Sequence, residues 1–206
     1  MHHLLERYSF TFEPHPFMPA KEMEFIEGEY LKASVILEFG AGGSTLFALK
    51  NNKRIISVES DKKFFDYLSS HAKSNHSMGD SRVLLAKTGI TGRYGVPIFF
   101  PFSTKISEKG LSYVLTGYSQ FNNCSPDLIF VDGRWRVACC LYSLISSFGS
   151  SRLLLDDYED NRSYKSIIEK YFEVLNFGRV ACLTPKSGIN AVHLVDDFIA
   201  SLKNPE

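Results

Sequence analysis

The run Glu38-Phe39-Gly40-Ala41-Gly42-Gly43-Ser44 follows the apolar stretch Ser34-Val35-Ile36-Leu37 and precedes Thr45-Leu46-Phe47-Ala48-Leu49. An apolar run that stops at glycines and restarts with helix formers reads as strand, turn and helix. Glycine lets the backbone turn sharply and come close to a ligand. The next apolar run, Arg54-Ile55-Ile56-Ser57-Val58, ends in Glu59-Ser60-Asp61. An acid at the end of the strand that follows a glycine loop can accept both hydroxyls of an adenosine ribose. Glu38 adds a carboxylate just before the turn. That charge opposes a pyrophosphate and suits a cationic group such as an amino acid ammonium, reached directly or through water. Gly40 and Gly42 fit the first two positions of a dinucleotide fingerprint, but Thr45 stands at the third, which makes a nicotinamide-dependent oxidoreductase the poorer reading. No Lys-Ser/Thr step follows the glycines, which excludes a Walker phosphate loop.

Outward from this core the pattern repeats. Residues 20–32 place Met23, Ile26, Tyr30 and Leu31 at helical spacing. After Glu59, a helix carries Phe64, Phe65, Leu68 and Ala72 on one face, with Ser60 as its expected N-cap and Asp61 at the positive end of the dipole. Arg82 to Ala86 is a short strand, and Pro126 to Gly133 is a buried strand that ends in Asp132. A helix follows with Val137, Leu141, Leu144, Ile145 and Phe148 on one stripe. Arg152-Leu153-Leu154-Leu155 is a strand ending in Asp156-Asp157. Ser163 is expected to cap a helix that buries Ile167, Ile168, Tyr171 and Phe172. Arg179–Leu183 and Ala191–Val195 read as a terminal hairpin across Thr184-Pro185-Lys186-Ser187-Gly188. Residues 88–120, punctuated by Gly89, Gly92, Gly95, Pro97, Pro101, Gly110 and Gly117, read as a long loop or cap. Residues 1–18, with Pro14 and Pro16 among aromatics, read as an irregular arm. Its Phe10, Phe12 and Phe17 either cover the chain's own sheet or pack on a second subunit in a homo-oligomer. Strands alternating with helices and closing on a hairpin predict one α/β domain over 1–206, with a mostly parallel sheet and an antiparallel edge.

Composition narrows the function. Of 206 residues, 44% are hydrophobic and 22% charged, which suits a packed globular core. Lys+Arg and Asp+Glu both total 23, so the formal net charge is zero and a whole-surface basic field for nucleic acid is not supported. Cys124, Cys139, Cys140 and Cys182 form no CxxC pair and read as free thiols of a reducing cytoplasm. No apolar run approaches the ~20 residues that span a bilayer, so no membrane partner is expected.

Three motifs carry a resemblance. Glu38-Phe39-Gly40-Ala41-Gly42-Gly43-Ser44 resembles the first motif of class I S-adenosylmethionine-dependent methyltransferases. Val58-Glu59 resembles their ribose-binding motif, and Asp127-Leu128-Ile129-Phe130-Val131-Asp132-Gly133 their fourth-strand motif. Thr88-Gly89-Ile90-Thr91-Gly92 and Asp132-Gly133-Arg134-Trp135-Arg136 are also similar to a small group of methyltransferase-like proteins. The resemblance implies a Rossmann-like three-layer α/β/α sandwich with a seven-stranded sheet, and S-adenosylmethionine as cofactor. It implies that Gly40, Ala41, Gly42, Gly43 and Ser44 pack against the methionine and ribose, and that Glu59 and Ser60 hold the ribose. Thr88 and Gly89 stand where the family often reads adenine with an acid or polar group; no acid is present here.

The remaining site residues lie at strand ends. Asp132 is the one modest candidate for a base. Asp132 with Asp156 or Asp157 could imitate the acids with which metal-dependent O-methyltransferases hold Mg²⁺ after the fourth and fifth strands, although helix capping is the simpler use. Arg134 and Arg136 either bind an anionic substrate or pair with Asp156, Asp157 and Asp160. Tyr94, Trp135 and Tyr158 are candidates for an aromatic substrate pocket. The Asn/Asp-Pro-Pro-aromatic step of nucleic-acid amino methyltransferases is replaced by Asp132-Gly133-Arg134-Trp135, which argues against base methylation. Two readings stand open at this point. One is methyl transfer to a small molecule; the other is a binding module that kept the fold and lost turnover.

Overall fold

The computed structural model describes residues 18–75, 79–92, 95, 97, 105–121, 125–146, 150–159 and 163–206. The arm apart from Met18, most of 93–104, Cys124, Phe148 and Asp160 lie outside them. Along the chain run α1 (Ala20–Lys32), β1 (Val35–Phe39), α2 (Gly43–Lys50), β2 (Arg54–Glu59) and α3 (Lys62–Asn75). Then come β3 (Arg82–Leu85), α4 (Ile106–Tyr118), β4 (Leu128–Val131), α5 (Arg136–Ile145) and β5 (Arg152–Leu155). The chain closes with α6 (Lys165–Tyr171), β6 (Phe172–Phe177), β7 (Val180–Pro185) and α7 (Ala191–Ser201).

The seven strands form one sheet in the order β3-β2-β1-β4-β5-β7-β6. The first five are mutually parallel, and β7 runs antiparallel to both β5 and β6. This is the expected Rossmann-like α/β sheet with an antiparallel end. Strand order reverses between β1 and β4, so a crevice opens beyond their carboxyl ends.

The alternation of side chains divides the core into two layers. Leu37, Phe39, Ile56, Val58, Ile129 and Val131 face Tyr113, Val114, Trp135, Leu141 and Phe198. Ile36, Ile55, Leu128 and Phe130 face Ile26, Tyr30, Leu46, Leu49 and Leu68. Strands buried on both faces read as continuous apolar runs, which is why β1, β2, β4 and β5 are plain in the sequence.

Three elements differ from expectation. Residues 106–118 form a core-facing helix and not a loop. Gly110 and Gly117 are not breaks: a Cβ on Gly117 would stand 2.8 Å from Leu37 Cδ1, and one on Gly110 would stand 2.6 Å from Trp135 Nε1. Both mark close packing. The terminal hairpin pairs β6 with β7 through Gly178 (φ +60°), while Ala191–Ser201 is helical. Asn190 caps that helix, accepting from the amides of Val192 and His193 at 3.0 and 3.1 Å. Ser163 caps nothing; its hydroxyl donates to Glu206 at 2.8 Å. Among the described residues no helix is long and apolar enough to cross a membrane.

The reading of α4 as a packed helix predicts opposite effects at two helical glycines. Gly117→Val should destabilise by about 1–3 kcal/mol through overpacking. Gly28→Ala in α1, where a Cβ meets nothing within 4 Å, should stabilise by about 0.5–1 kcal/mol. Urea unfolding of both variants checks this.

Candidate functional site

The glycine loop is built from beneath by Glu38. Ile36 and Glu38 point to the same face of β1, toward α1 and α2, and Glu38 pairs with Ser57 in the strand register. Its carboxylate is fully buried. Tyr30 donates to Oε1 at 2.8 Å and Ser44 at 2.5 Å; Ser57 donates to Oε2 at 2.5 Å, and Thr45 also donates to Oε2. Burial raises its pKa, and the hydroxyls of Ser44, Ser57, Thr45 and Tyr30 oppose that rise. The Thr45 hydroxyl also accepts from the Gly42 amide at 2.9 Å. Thr45 therefore occupies the third fingerprint position because it ties the acid to the loop. Glu38, Ser44 and the buried Ala41 support the loop; the geometry gives Glu38 no direct path to a ligand.

Above that support the backbone is held open. Gly40 sits at φ +99°, and a Cβ there would meet the Gly133 amide nitrogen at 2.7 Å. Gly42 is the opposite case: a Cβ on it would meet nothing within 4 Å. The space beside Gly42 is open.

Glu59 closes the neighbouring strand. It is 8% exposed, and its Oε1 accepts from the amides of Ser60 and Asp61 at 2.6 and 2.7 Å. Burial pushes its pKa up to about 7 against those amides. Asp61, not Ser60, caps α3, with Oδ1 accepting from the Phe64 amide at 2.9 Å. The Ser60 hydroxyl donates instead to the Gly95 carbonyl at 3.1 Å. Thr88 is buried, and its hydroxyl donates to the Ser60 carbonyl at 3.2 Å. Gly89 (φ +91°) lies under Lys109 of α4, whose Nζ is 2.8 Å from the place of a Cβ.

The acids of β4 and β5 meet at a third corner. Asp156 is buried and takes Arg179 on both oxygens, at 2.9 and 2.8 Å. Asp157 (φ +58°) pairs with Arg179 and with Arg136, the latter at 2.9 Å. Asp132 stands 3.8 Å from Arg136, and its side chain is 37% exposed. Its carboxyl is held well above the usual range, first by loss of hydration and then by the Asp156 charge, with a hydrogen bond to Asp156 favouring the proton and Arg136 opposing it. Arg134 is drawn below the usual arginine range by burial and by Arg136, and the acids Asp132 and Glu59 offset this in part.

Two of the three candidates for an aromatic pocket, Trp135 and Tyr158, are buried in the core. Trp135 (φ +49°) is fully buried, with its indole N–H on the Leu202 carbonyl at 3.0 Å. Tyr158 is also buried and bonds Glu169 at 3.0 Å, so it packs α6 and does not face the crevice. Tyr94 lies outside the described residues. Arg179, at the β6–β7 turn, is the site residue that periodicity alone hides, since it reads as the first residue of a strand. Among the described residues no group of three or more His, Cys, Asp or Glu side chains is placed to hold a metal ion.

No family model and no curated protein sequence matches the chain. A methyltransferase-like protein from Silicibacter pomeroyi superposes with a TM-score of 0.76 at 29% identity, over 94% of this chain and 100% of that one. A methyltransferase from Podospora anserina bound to SAH matches with a TM-score of 0.49 at 16% identity, over 82% of this chain and 80% of that one. The C-terminal domain of precorrin-6Y C5,15-methyltransferase from Rhodobacter capsulatus matches at 0.49 and 10% identity, over 84% and 94%. The chain is therefore similar in both fold and sequence to the first of these, a methyltransferase-like protein.

Glu59 has a stability consequence. Its pKa in the folded protein, about 7, lies above the ordinary 4.5. The stabilisation this gives is full below pH 4.5 and is lost as pH rises through about 7. Glu59→Gln, which keeps the acceptor oxygen without the charge, should therefore raise stability at pH 8 by on the order of 2–3 kcal/mol and change little at pH 5. Thermal unfolding at the two pH values checks it.

Proposed function

We propose that this methyltransferase-like chain binds S-adenosylmethionine across the Gly40 loop and Glu59 and directs its methyl group to a small-molecule acceptor. One observation carries the reading. The open space beside Gly42 and the buried Glu59 carboxylate stand at adjacent strand ends, next to the reversal of strand order. Gly40, Gly42 and Gly43 would lie along the methionine and ribose, while Glu59 would accept the ribose hydroxyls. Ser60, Thr88 and Gly89 would border the adenine through backbone groups, since the Thr88 hydroxyl is already engaged.

When bound, the cofactor supplies an electrophilic methyl on a sulfonium. The chain supplies position. Asp132 and Arg134, on the loop that presses against Gly40, face the acceptor. Asp132 is the open carboxyl of that loop, with 37% of its side chain exposed and Arg136 3.8 Å away. An acceptor atom that is nucleophilic without a strong base suits that arrangement, and alignment with the sulfonium would supply much of the rate. The balanced charge and free thiols Cys139, Cys140 and Cys182 agree with a cytoplasmic small-molecule enzyme of one domain.

A second reading, a module that binds without turnover, is favoured by the missing adenine-reading acid at Thr88-Gly89. Calorimetry with S-adenosylhomocysteine tests the cofactor site common to both. Binding should weaken about 10–100-fold in Glu59→Ala, the cost of losing hydrogen bonds to a charged acceptor. Ribose hydroxyls favour the ionised acid, so wild-type affinity should fall as pH drops below about 7. Full affinity in Glu59→Ala would remove the ribose assignment. Turnover against an acceptor panel then separates enzyme from module.

A further inference from the structure

Three carboxylates gather where β4 and β5 end, and two guanidinium groups lie among them. Each oxygen of Asp156 and of Asp157 already meets an arginine nitrogen: Asp156 both from Arg179, Asp157 one from Arg179 and one from Arg136. The planar fork of arginine matches a carboxylate two bonds to two and stays charged throughout the working pH range. Asp156 and Asp157 are thus matched charge for charge by the two arginines, and a cation arriving there would find Asp132 as the one carboxylate not held in a close arginine pair. Mg²⁺ wants about six oxygens in a tight octahedron and gives up water reluctantly. Here it would meet Arg136 and Arg179 as like charges. It would also have to strip Asp156, 1% exposed, of a bidentate partner.

The arginines are placed by the fold. Arg179 follows Gly178 (φ +60°) in the β6–β7 turn, and its carbonyl accepts the Tyr158 amide at 2.8 Å. Arg136 opens α5 and is 4% exposed. Tyr164 donates to the Asp157 carbonyl at 2.8 Å and fixes the acid from the other side. Asp132 is the exception: Arg136 is 3.8 Å away, and 37% of its side chain remains open.

We infer that Arg136 and Arg179 stand in for the divalent cation that metal-dependent enzymes of this fold hold between their strand-end acids, leaving Asp132 to receive the acceptor. Both arginines are positioning residues. An acceptor that presents a single N–H or O–H group fits such a corner, whereas a chelating pair of oxygens has no metal to grip. The acceptor class rests on the methyltransferase reading; the exclusion of the cation rests on the acids and arginines alone.

Mn²⁺ titration followed by electron paramagnetic resonance tests this on the full chain. Wild type and Arg179→Lys should leave Mn²⁺ free up to about 1 mM, a weak-site concentration. Arg179→Met should bind Mn²⁺ at least about tenfold more tightly than wild type, and adding Asp156→Asn should abolish that gain. Tight Mn²⁺ binding by wild type that Asp156→Asn removes would overturn the inference. So would a folded Arg179→Met that binds no better than wild type. Should Arg179→Met fail to fold, wild type beside Asp156→Asn decides alone; binding that Asp156→Asn leaves intact lies elsewhere and counts as none here. Failure of S-adenosylhomocysteine to bind would strike the cofactor reading and leave the Mn²⁺ result standing.

Discussion

The buried Glu38 carboxylate is the constraint on which the site depends. A charged group this far from water is tolerated only when its oxygens are satisfied. Four hydroxyls do so, from Tyr30 on α1, Ser44 and Thr45 on α2, and Ser57 on β2. One side chain thus joins two helices and two strands at the point where the chain leaves β1. The Thr45 hydroxyl passes the constraint on to the Gly42 amide, which fixes the turn beside the open space at Gly42. A half-satisfied network of this kind would cost more than an apolar core; a satisfied one fixes a single arrangement.

Glu59 is the counterpart, an acid kept where it is not comfortable. Its two backbone donors do not outweigh the loss of hydration. Ligand hydroxyls would relieve it. The two carboxylates differ in how far the protein satisfies them: Glu38 takes four hydroxyls on its two oxygens, whereas the donors to Glu59 come from Ser60 and Asp61 and all reach Oε1. The acids at β4 and β5 repeat the difference, with Asp156 and Asp157 held by arginine and Asp132 open.

Much of this was legible in the residues. Apolar runs that stop at glycine or acid marked β1, β2, β4 and β5, because strands covered on both faces cannot alternate with polar residues. The acid after Val58 located the second half of the crevice. Glycine misled where it served packing. Gly110 and Gly117 look like breaks, yet they let α4 settle on Trp135 and on the sheet, a fact that belongs to distant neighbours. Ala191–Val195 has apolar residues that fit either a strand or a helix, and the Asn190 cap decides for the helix. Partners were harder still. Tyr30 and Ser57 reach Glu38 only because α1 and β2 flank β1, and Arg179 reaches Asp156 only because β7 folds back beside β5.

The Gly178-Arg179 turn ties the rim of the sheet to its centre. Rims of open sheets are usually where a fold tolerates drift in length and register. Here the hairpin carries a guanidinium that two central acids require, so its length is fixed by chemistry on a strand it does not belong to. A one-residue insertion in that turn would leave the sheet paired and strand the buried Asp156 without its arginine, while Asp157 would keep only Arg136. In this protein the periphery is therefore inherited together with the strand-end acids of β5, and the two can change only in concert.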